Sequence, residues 1–481
     1  MYRIKNTALS FSCKGFWVML AGLLGSGQLM AQTQTIVPLT DLSFFQEPSS
    51  NWKLAANVQA DLDKDEVLTS KDGTGLLINL PGKSGAKDLF TKAQYGDMDL
   101  ELDYMMAKGS NSGIYLQGRY EIQLLDSWGA INPKPGDNGG IYERWDDSKP
   151  DGMKGYDGHA PRQNASRAPG LWQHMKISFQ APRFDAAGQK ISNAKVIYVW
   201  LNGVLIQDNV VLSGPTRGSF DNKEAATGPL RIQGDHGAVV FRNIKIAGSN
   251  DPHPVLSKYN DPIEPILISA PANTVLRSFT DLPGGIRVTH GVGVGSPEQM
   301  HYTYDMDKGM IVQIWRGNFL DATPMWHDRG DGSSRPAGSV QYLGKPVPGI
   351  EKLSNAQAAW RPDTNGSGYK PKGYILNTND QPVFRYMIYG SLVNDASTVI
   401  AEGHGLHREI SLQNPVDGLF ARLAGGAAIE DLGNGLYIID DKSYYIRIED
   451  AGGAKPVVRD ADGKQELIIP IQKKLTYSII F

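Results

Sequence analysis

Apolar and polar side chains alternate residue by residue in one short stretch after another, and a period of two admits strands and little else. Residues 98–105 read Met-Asp-Leu-Glu-Leu-Asp-Tyr-Met, and residues 114–125, 196–204, 230–233 and 238–246 repeat the habit. Asn202-Gly203 falls between two such runs, a strong signal for a two-residue hairpin turn. Fifty-four glycines and 28 prolines supply the turns that many short strands need. Only residues 355–360 read as a helical turn or two. The expected class is all-β and antiparallel. A chain of 481 residues exceeds one simple core, so two domains are expected. Residues 248–265, rich in Gly, Ser, Asn and Pro, form the expected linker between a domain at 32–247 and one at 266–481. In the second, strand-like runs return at 309–314, 383–389, 435–439, 444–448 and 467–471. Residues 326–374, dense in Gly, Pro and Asp, read as long loops.

Residues 1–31 read as a secretory signal peptide. Arg3, Lys5 and Lys14 precede or open an apolar run at 15–24, and Ala31 stands before a polar Gln-Thr-Gln-Thr stretch. The run is too short for a membrane span. Cys13, the only cysteine, precedes the apolar run, whereas a lipoprotein cysteine would follow it. The processed chain would then lack disulfides, iron–sulfur clusters and covalent haem. A soluble protein of the periplasm or cell exterior is expected. The formal charge of −3 argues against a nucleic-acid partner.

The first domain carries a string of motifs. Asn111-Ser112-Gly113-Ile114-Tyr115-Leu116-Gln117 is followed by Tyr120-Glu121-Ile122-Gln123-Leu124-Leu125-Asp126. Then come Gly140-Ile141-Tyr142, Trp172 and Leu201-Asn202-Gly203-Val204. Ile232-Gln233-Gly234-Asp235-His236-Gly237 and Val240-Phe241-Arg242-Asn243-Ile244 close the series. In this order, over residues 43–247, the pattern resembles the bacterial 3-keto-disaccharide hydrolase domain family. The resemblance implies a concanavalin-like jelly-roll sandwich acting on glycosides already oxidised to a ketone at carbon 3.

Alternation divides the motif residues between two faces. Tyr115 and Gln117 oppose Ile114 and Leu116; Glu121 and Gln123 oppose Ile122 and Leu124; Arg231, Gln233 and Asp235 oppose Leu230 and Ile232. A face of Tyr, Gln, Glu, Arg and Asp suits a sugar's hydroxyls and ring faces, and equally suits a solvated sheet face. With the resemblance, Tyr115, Gln117, Arg119, Gln123, Tyr142, Gln233 and Asp235 are the expected substrate-binding residues.

A ketone at carbon 3 acidifies the proton on carbon 2, so a base can remove it and the glycosidic oxygen can leave through an enolate. That route needs a base, a group for the oxyanion and an acid for the leaving oxygen. His236 is the expected base. Glu121 and Asp126 are further acid–base candidates. Arg242 or Arg119 is the oxyanion partner, unless a divalent metal held by Glu121, Asp126 and His236 takes that part. Two other readings remain open. Glu121 and Asp126 could serve a retaining glycosidase if a bulge brought Asp126 round. A sandwich of this kind could also bind carbohydrate without turning it over.

The second domain shows residues 315–321 (Trp-Arg-Gly-Asn-Phe-Leu-Asp) and 326–330 (Trp-His-Asp-Arg-Gly), either another polar and aromatic site or a corner pinned by buried Arg–Asp pairs. His404 and His407 have a spacing that some metal sites use. Neither domain has a phosphate loop, dinucleotide fingerprint or zinc motif. A separate oxidoreductase would therefore have to make the ketone.

Overall fold

The computed structural model describes residues 34–82, 85–249, 264–327 and 332–481. The leader read at 1–31 and most of the linker read at 248–265 lie outside them. Among the described residues no helix is long and apolar enough to cross a membrane.

The architecture is all-β, and among the described residues the paired strands run antiparallel. In the first domain two sheets face each other. The larger runs in the order Val204–Leu212, Ala194–Leu201, Gln173–Gln180, Asp97–Met106, Val239–Ser249, Leu68–Asn79, Trp52–Ala60, with Gln34–Ile36 also on Val239–Ser249. The smaller is Phe45–Gln46, Leu89–Tyr95, Gly228–Ile232, Asn111–Leu116, Tyr120–Leu125. Neighbours in the sheets are often far apart in sequence, as a jelly roll requires. Ile114, Leu116, Ile122, Leu124 and Ile232 of the smaller sheet meet Leu100, Leu102, Ile177, Val199 and Phe241 of the larger in one core. The Asn202-Gly203 hairpin forms with both residues in the left-handed region, φ 50° and 83°, which Asn and Gly tolerate best.

The second domain holds a six-stranded, a four-stranded and an eight-stranded sheet around a core that includes Tyr302, Tyr304, Phe384, Ile410, Leu467, Tyr477 and Ile479. Leu62, Ala168 and Leu171 of the first domain join that core. Residues 355–360 make turns rather than a helix; Asn355 Oδ1 accepts from Gln357 N, and Trp360 Nε1 donates to Pro348 O. The stretch 326–374 is also not all loop. It contains the strands Arg335–Tyr342 and Ile350–Lys352 and most of Lys370–Leu376. Its glycine has a second use there. Gly338 pairs with Gly317, and a Cβ on Gly338 would lie 2.0 Å from Arg316 O, so glycine permits a close strand approach as well as a turn.

Candidate functional site

Burying the apolar set of the smaller sheet against its partner forces Tyr115, Glu121, Gln123 and Arg231 onto the outer face. An outer face normally meets water, yet Glu121 is 2% and Gln123 5% exposed. The cover comes from chain around residues 134–160 and 213–222. Tyr142 N–H donates to Glu121 O at 3.1 Å, Glu121 N–H to Thr216 Oγ1 at 3.1 Å, and Arg231 Nη1 to Gly218 O at 2.7 Å. Register aligns Phe90 with Arg231, Arg231 with Tyr115 and Tyr115 with Glu121, a row across four strands.

Glu121 folds its carboxylate over Gly113, where a Cβ would come within 2.2 Å of Oε1. The glycine of the Asn-Ser-Gly-Ile-Tyr motif therefore makes room for an acid on the neighbouring strand. Burial pushes the Glu121 carboxyl up to about 8, against the hydrogen bond from Tyr115 and the charge of Arg231; the Asp88 and Asp235 carboxylates push the same way as burial. Arg231 stacks 3.9 Å above the Tyr115 ring and pairs with Asp88 at 2.6 Å. Burial, then the Glu121 charge, raises the Tyr115 hydroxyl far above its ordinary range, so it stays a neutral donor.

The Gly234–Gly237 turn stands beside this row. A Cβ on Gly234 would lie 2.3 Å from Lys87 O, and one on Gly237 2.5 Å from Asn111 N. Only glycine at both positions lets the turn sit this close, and it presents His236 at the surface with its side chain 51% exposed. His236 Nδ1 lies 2.5 Å from Asp235 Oδ1 and 3.3 Å from the Gln233 amide. With Nδ1–H donated to Asp235, Nε2 carries a lone pair toward solvent, the orienting logic of a base held by a carboxylate. Gln123 donates to Asn111 Oδ1 at 2.9 Å along the same face. A cavity of about 830 Å³ opens between Asp88, Phe90, Lys92 and Asp235.

Four expected site residues lie elsewhere. Gln117 leaves the pleat at a left-handed φ of 52° and donates to Tyr95 O and Ala226 O. Arg119 donates to Lys223 O and Gln117 O and pairs with Asp221. Both side chains pin the 213–227 segment instead of lining the groove. Asp126 is not brought round, because Asn111–Leu116 pairs with Tyr120–Leu125 in unbroken register from Leu116–Tyr120 to Asn111–Leu125. It accepts from Gly109 N at 2.8 Å and staples the turn that precedes Asn111–Leu116. Arg242 belongs to the larger sheet, opposite Asp103, and bridges Asp103 to Asp441 of the second domain at 3.2 and 2.5 Å. It stacks 3.9 Å above Trp172. With Asp126 away from Glu121 and His236, that trio cannot share an ion; among the described residues no three His, Cys, Asp or Glu side chains are grouped to hold one. Tyr142 sits next to Glu121 through its main chain.

The guanidinium of this face is Arg231, which alternation places here but which the expected substrate-binding set does not include. Asp88 and Asn111 also complete the face. Asn111 opens a motif; Asp88 follows a stretch without periodicity and gave no signal.

Residues 42–247 match the family model described as the 3-keto-alpha-glucoside-1,2-lyase-like domain. The resemblance drawn from the motifs holds over that segment. Among solved structures, one candidate glycosyl hydrolase from Parabacteroides distasonis is 25% identical, covering 45% of this chain and 91% of that one with a TM-score of 0.28. Another from the same organism is 21% identical, covering 45% and 100%, with a TM-score of 0.26. No curated protein matches the chain.

Proposed function

We propose that the first domain cleaves glycosides whose sugar ring carries a ketone at carbon 3, by elimination. The observation that supports it best is the pairing of a buried carboxyl that keeps its proton at neutral pH with an exposed, carboxylate-oriented imidazole on the same face. His236 Nε2 takes the proton from carbon 2, and the C–H electrons pass into an enolate on the carbon-3 oxygen. The enolate collapses back to the ketone, a carbon 1–carbon 2 double bond forms and the carbon 1–oxygen bond breaks. Glu121, protonated, gives its proton to the departing oxygen. Arg231, as a cation, and the Tyr115 hydroxyl, as a neutral donor, stand beside Glu121 to stabilise the developing charge. Water adding across the double bond afterwards would complete a net hydrolysis. The family model over residues 42–247 supports this substrate class. A separate oxidoreductase supplies the ketone, and the reaction runs outside the cytoplasm if residues 1–31 act as a leader.

The test is incubation with a glucoside and with its 3-keto form in deuterated water. Release of the aglycone from the keto form alone, with deuterium at carbon 2 of the hydrated product, is the expected result. His236→Ala should slow it by roughly 10²–10⁴-fold, the usual worth of a general base. Equal release from the parent glucoside would put ordinary glycosidic displacement in its place. Tight binding of either sugar without release would leave a carbohydrate-binding domain.

A further inference from the structure

Two motifs of the second domain have no part in the groove: the Trp-Arg run at 315–321 and the His404/His407 pair. The structure ties both to one tryptophan of the first domain. Trp128 stacks face to face on His404, with ring centroids 3.8 Å apart and planes 11° apart. Its Nε1–H donates to the Phe481 main-chain carbonyl at 2.7 Å. Gly129 leaves no gap below: a Cβ there would lie 2.6 Å from His404 Nε2 and 3.0 Å from Glu402 Cβ. The turn bearing His404 is itself anchored, because the fully buried Arg316 guanidinium donates to Gly403 O. A crevice of about 520 Å³ runs beside the Trp128–His404 stack, lined by Leu62, Lys108, His407 and Arg447.

From Trp128 a chain of hydrogen bonds leads to the groove. Asn164 donates to Ser127 O and Ala130 O at 2.7 and 2.9 Å, Ser127 Oγ to Asp137 at 3.0 Å, and Asn138 N to Ser127 Oγ at 3.1 Å. The next residues are those that wall the acid. Gly139 N–H donates to Gln123 O, Gln123 N–H to Gly140 O, both at 2.8 Å, and Tyr142 N–H to Glu121 O.

We propose that the second domain is a positioning part of the first domain's site: by seating Trp128 it holds residues 137–142 against Gln123 and Glu121 and keeps water from Glu121. Trp128 is a positioning residue and touches no substrate. The activity arm of the test rests on the function proposed above; the titration arm does not.

The carboxyl of Glu121 is followed by ¹³C NMR in the full chain, with Glu121→Gln assigning the resonance. Tyr115, Arg231, Asp88 and Asp235 face that carboxyl and are untouched by the variants. Trp128→Ala and, from the far side of the contact, His404→Ala should move its midpoint down by about one pH unit as water enters. Each should cut kcat on a 3-keto-glucoside about tenfold, with KM within about threefold, and shift the alkaline limb of the rate profile equally. Trp128→Phe keeps the stack and should restore most of both. A Glu121 midpoint unmoved in folded Trp128→Ala or His404→Ala overturns the proposal. If Trp128→Ala does not fold, His404→Ala leaves the first domain's sequence intact and decides alone. A wild-type protein inert toward 3-keto-glucosides would remove the proposed function, while the NMR titration would still decide the seat.

Discussion

The two outer faces of the sandwich start from the same sequence pattern and end in opposite electrostatic states. On the larger sheet Asp103 receives bonds from His174, Asn243 and Arg242 at 2.7, 2.7 and 3.2 Å. Burial alone would raise its pKa, but these partners outweigh burial and hold the carboxyl at about 2. Next to it Glu101 is paired with Lys245 and Lys176. On the smaller sheet the cation that acts on Glu121 is Arg231, already engaged by Asp88, and burial holds the carboxyl at about 8. Carboxylates supplied with full partners make structure; a buried carboxyl with few of them keeps its proton at neutral pH and can serve in proton transfer. Alternation predicts both faces, and it is the cover of residues 134–160 and 213–222 that separates them.

The largest expected effect breaks the comparison by removing one charge from each face. Glu121→Gln should cost roughly 10²–10⁴-fold in turnover of a 3-keto-glucoside. Asp103→Asn should leave it within about threefold, since it meets no substrate. Steady-state assays of both, with circular dichroism to confirm folding, decide this; equal losses would mean that Glu121 has no special role. The pH profile follows. Glu121 acts as an acid, so kcat should fall above pH about 8, by about tenfold per further pH unit, as the proton is lost. A rate that keeps rising past pH 9 would contradict that assignment.

What the sequence revealed follows from physical range. Alternation is local, and it sorts Tyr115, Glu121, Gln123 and Arg231 onto one face, as the register shows. Gln117 was misplaced because one left-handed residue ends the pleat, and nothing in Leu-Gln-Gly-Arg names which residue turns. Arg242 was misplaced because alternation reports the side of a sheet but not which of two sheets the strand joins. Asp88 was missed because it enters through its bond to the Gly234–Gly237 turn, 146 residues away in sequence. The glycines are the letters that carry most about close approach. Gly113, Gly234 and Gly237 each mark a place where another residue's side chain or backbone occupies the Cβ position.

Stability should show the same opposition with inverted signs. The folded pKa of Glu121 lies above its ordinary 4.5, so between pH 4.5 and about 8 the unfolded chain gives up a proton that the folded chain keeps. Folding is therefore weakened progressively over that window and fully above it. Glu121→Gln never ionises, so it should be more stable than wild type at pH 8 by roughly 2–4 kcal/mol, with the gain vanishing below pH 4.5. Urea unfolding at pH 4.5 and pH 8 measures it. A variant less stable than wild type at pH 8 would show that the carboxyl is ionised and satisfied in the fold.

The smallest effect belongs to Asp103. Its folded pKa is depressed from 3.8 to about 2, so its charge contributes stability that is fully present above pH 3.8 and is lost as pH falls through about 2. Its side chain is 16% exposed, and solvent screens part of the interaction, so the contribution is about 1–2 kcal/mol. Asp103→Asn should lose that amount at pH 7, since Asn still accepts a bond from His174 or Asn243 but carries no charge for Arg242. The deficit should shrink as the acid arm is approached, because wild type then protonates to the same neutral state. Added salt separates the contributions: at 1 M the Debye length falls to about 3 Å, which weakens the Arg242 attraction and leaves the short bonds from His174 and Asn243. A deficit unchanged by pH and salt would mean that Asp103 acts through hydrogen-bond geometry alone, and the contrast with Glu121 would then be one of solvation rather than of charge pairing.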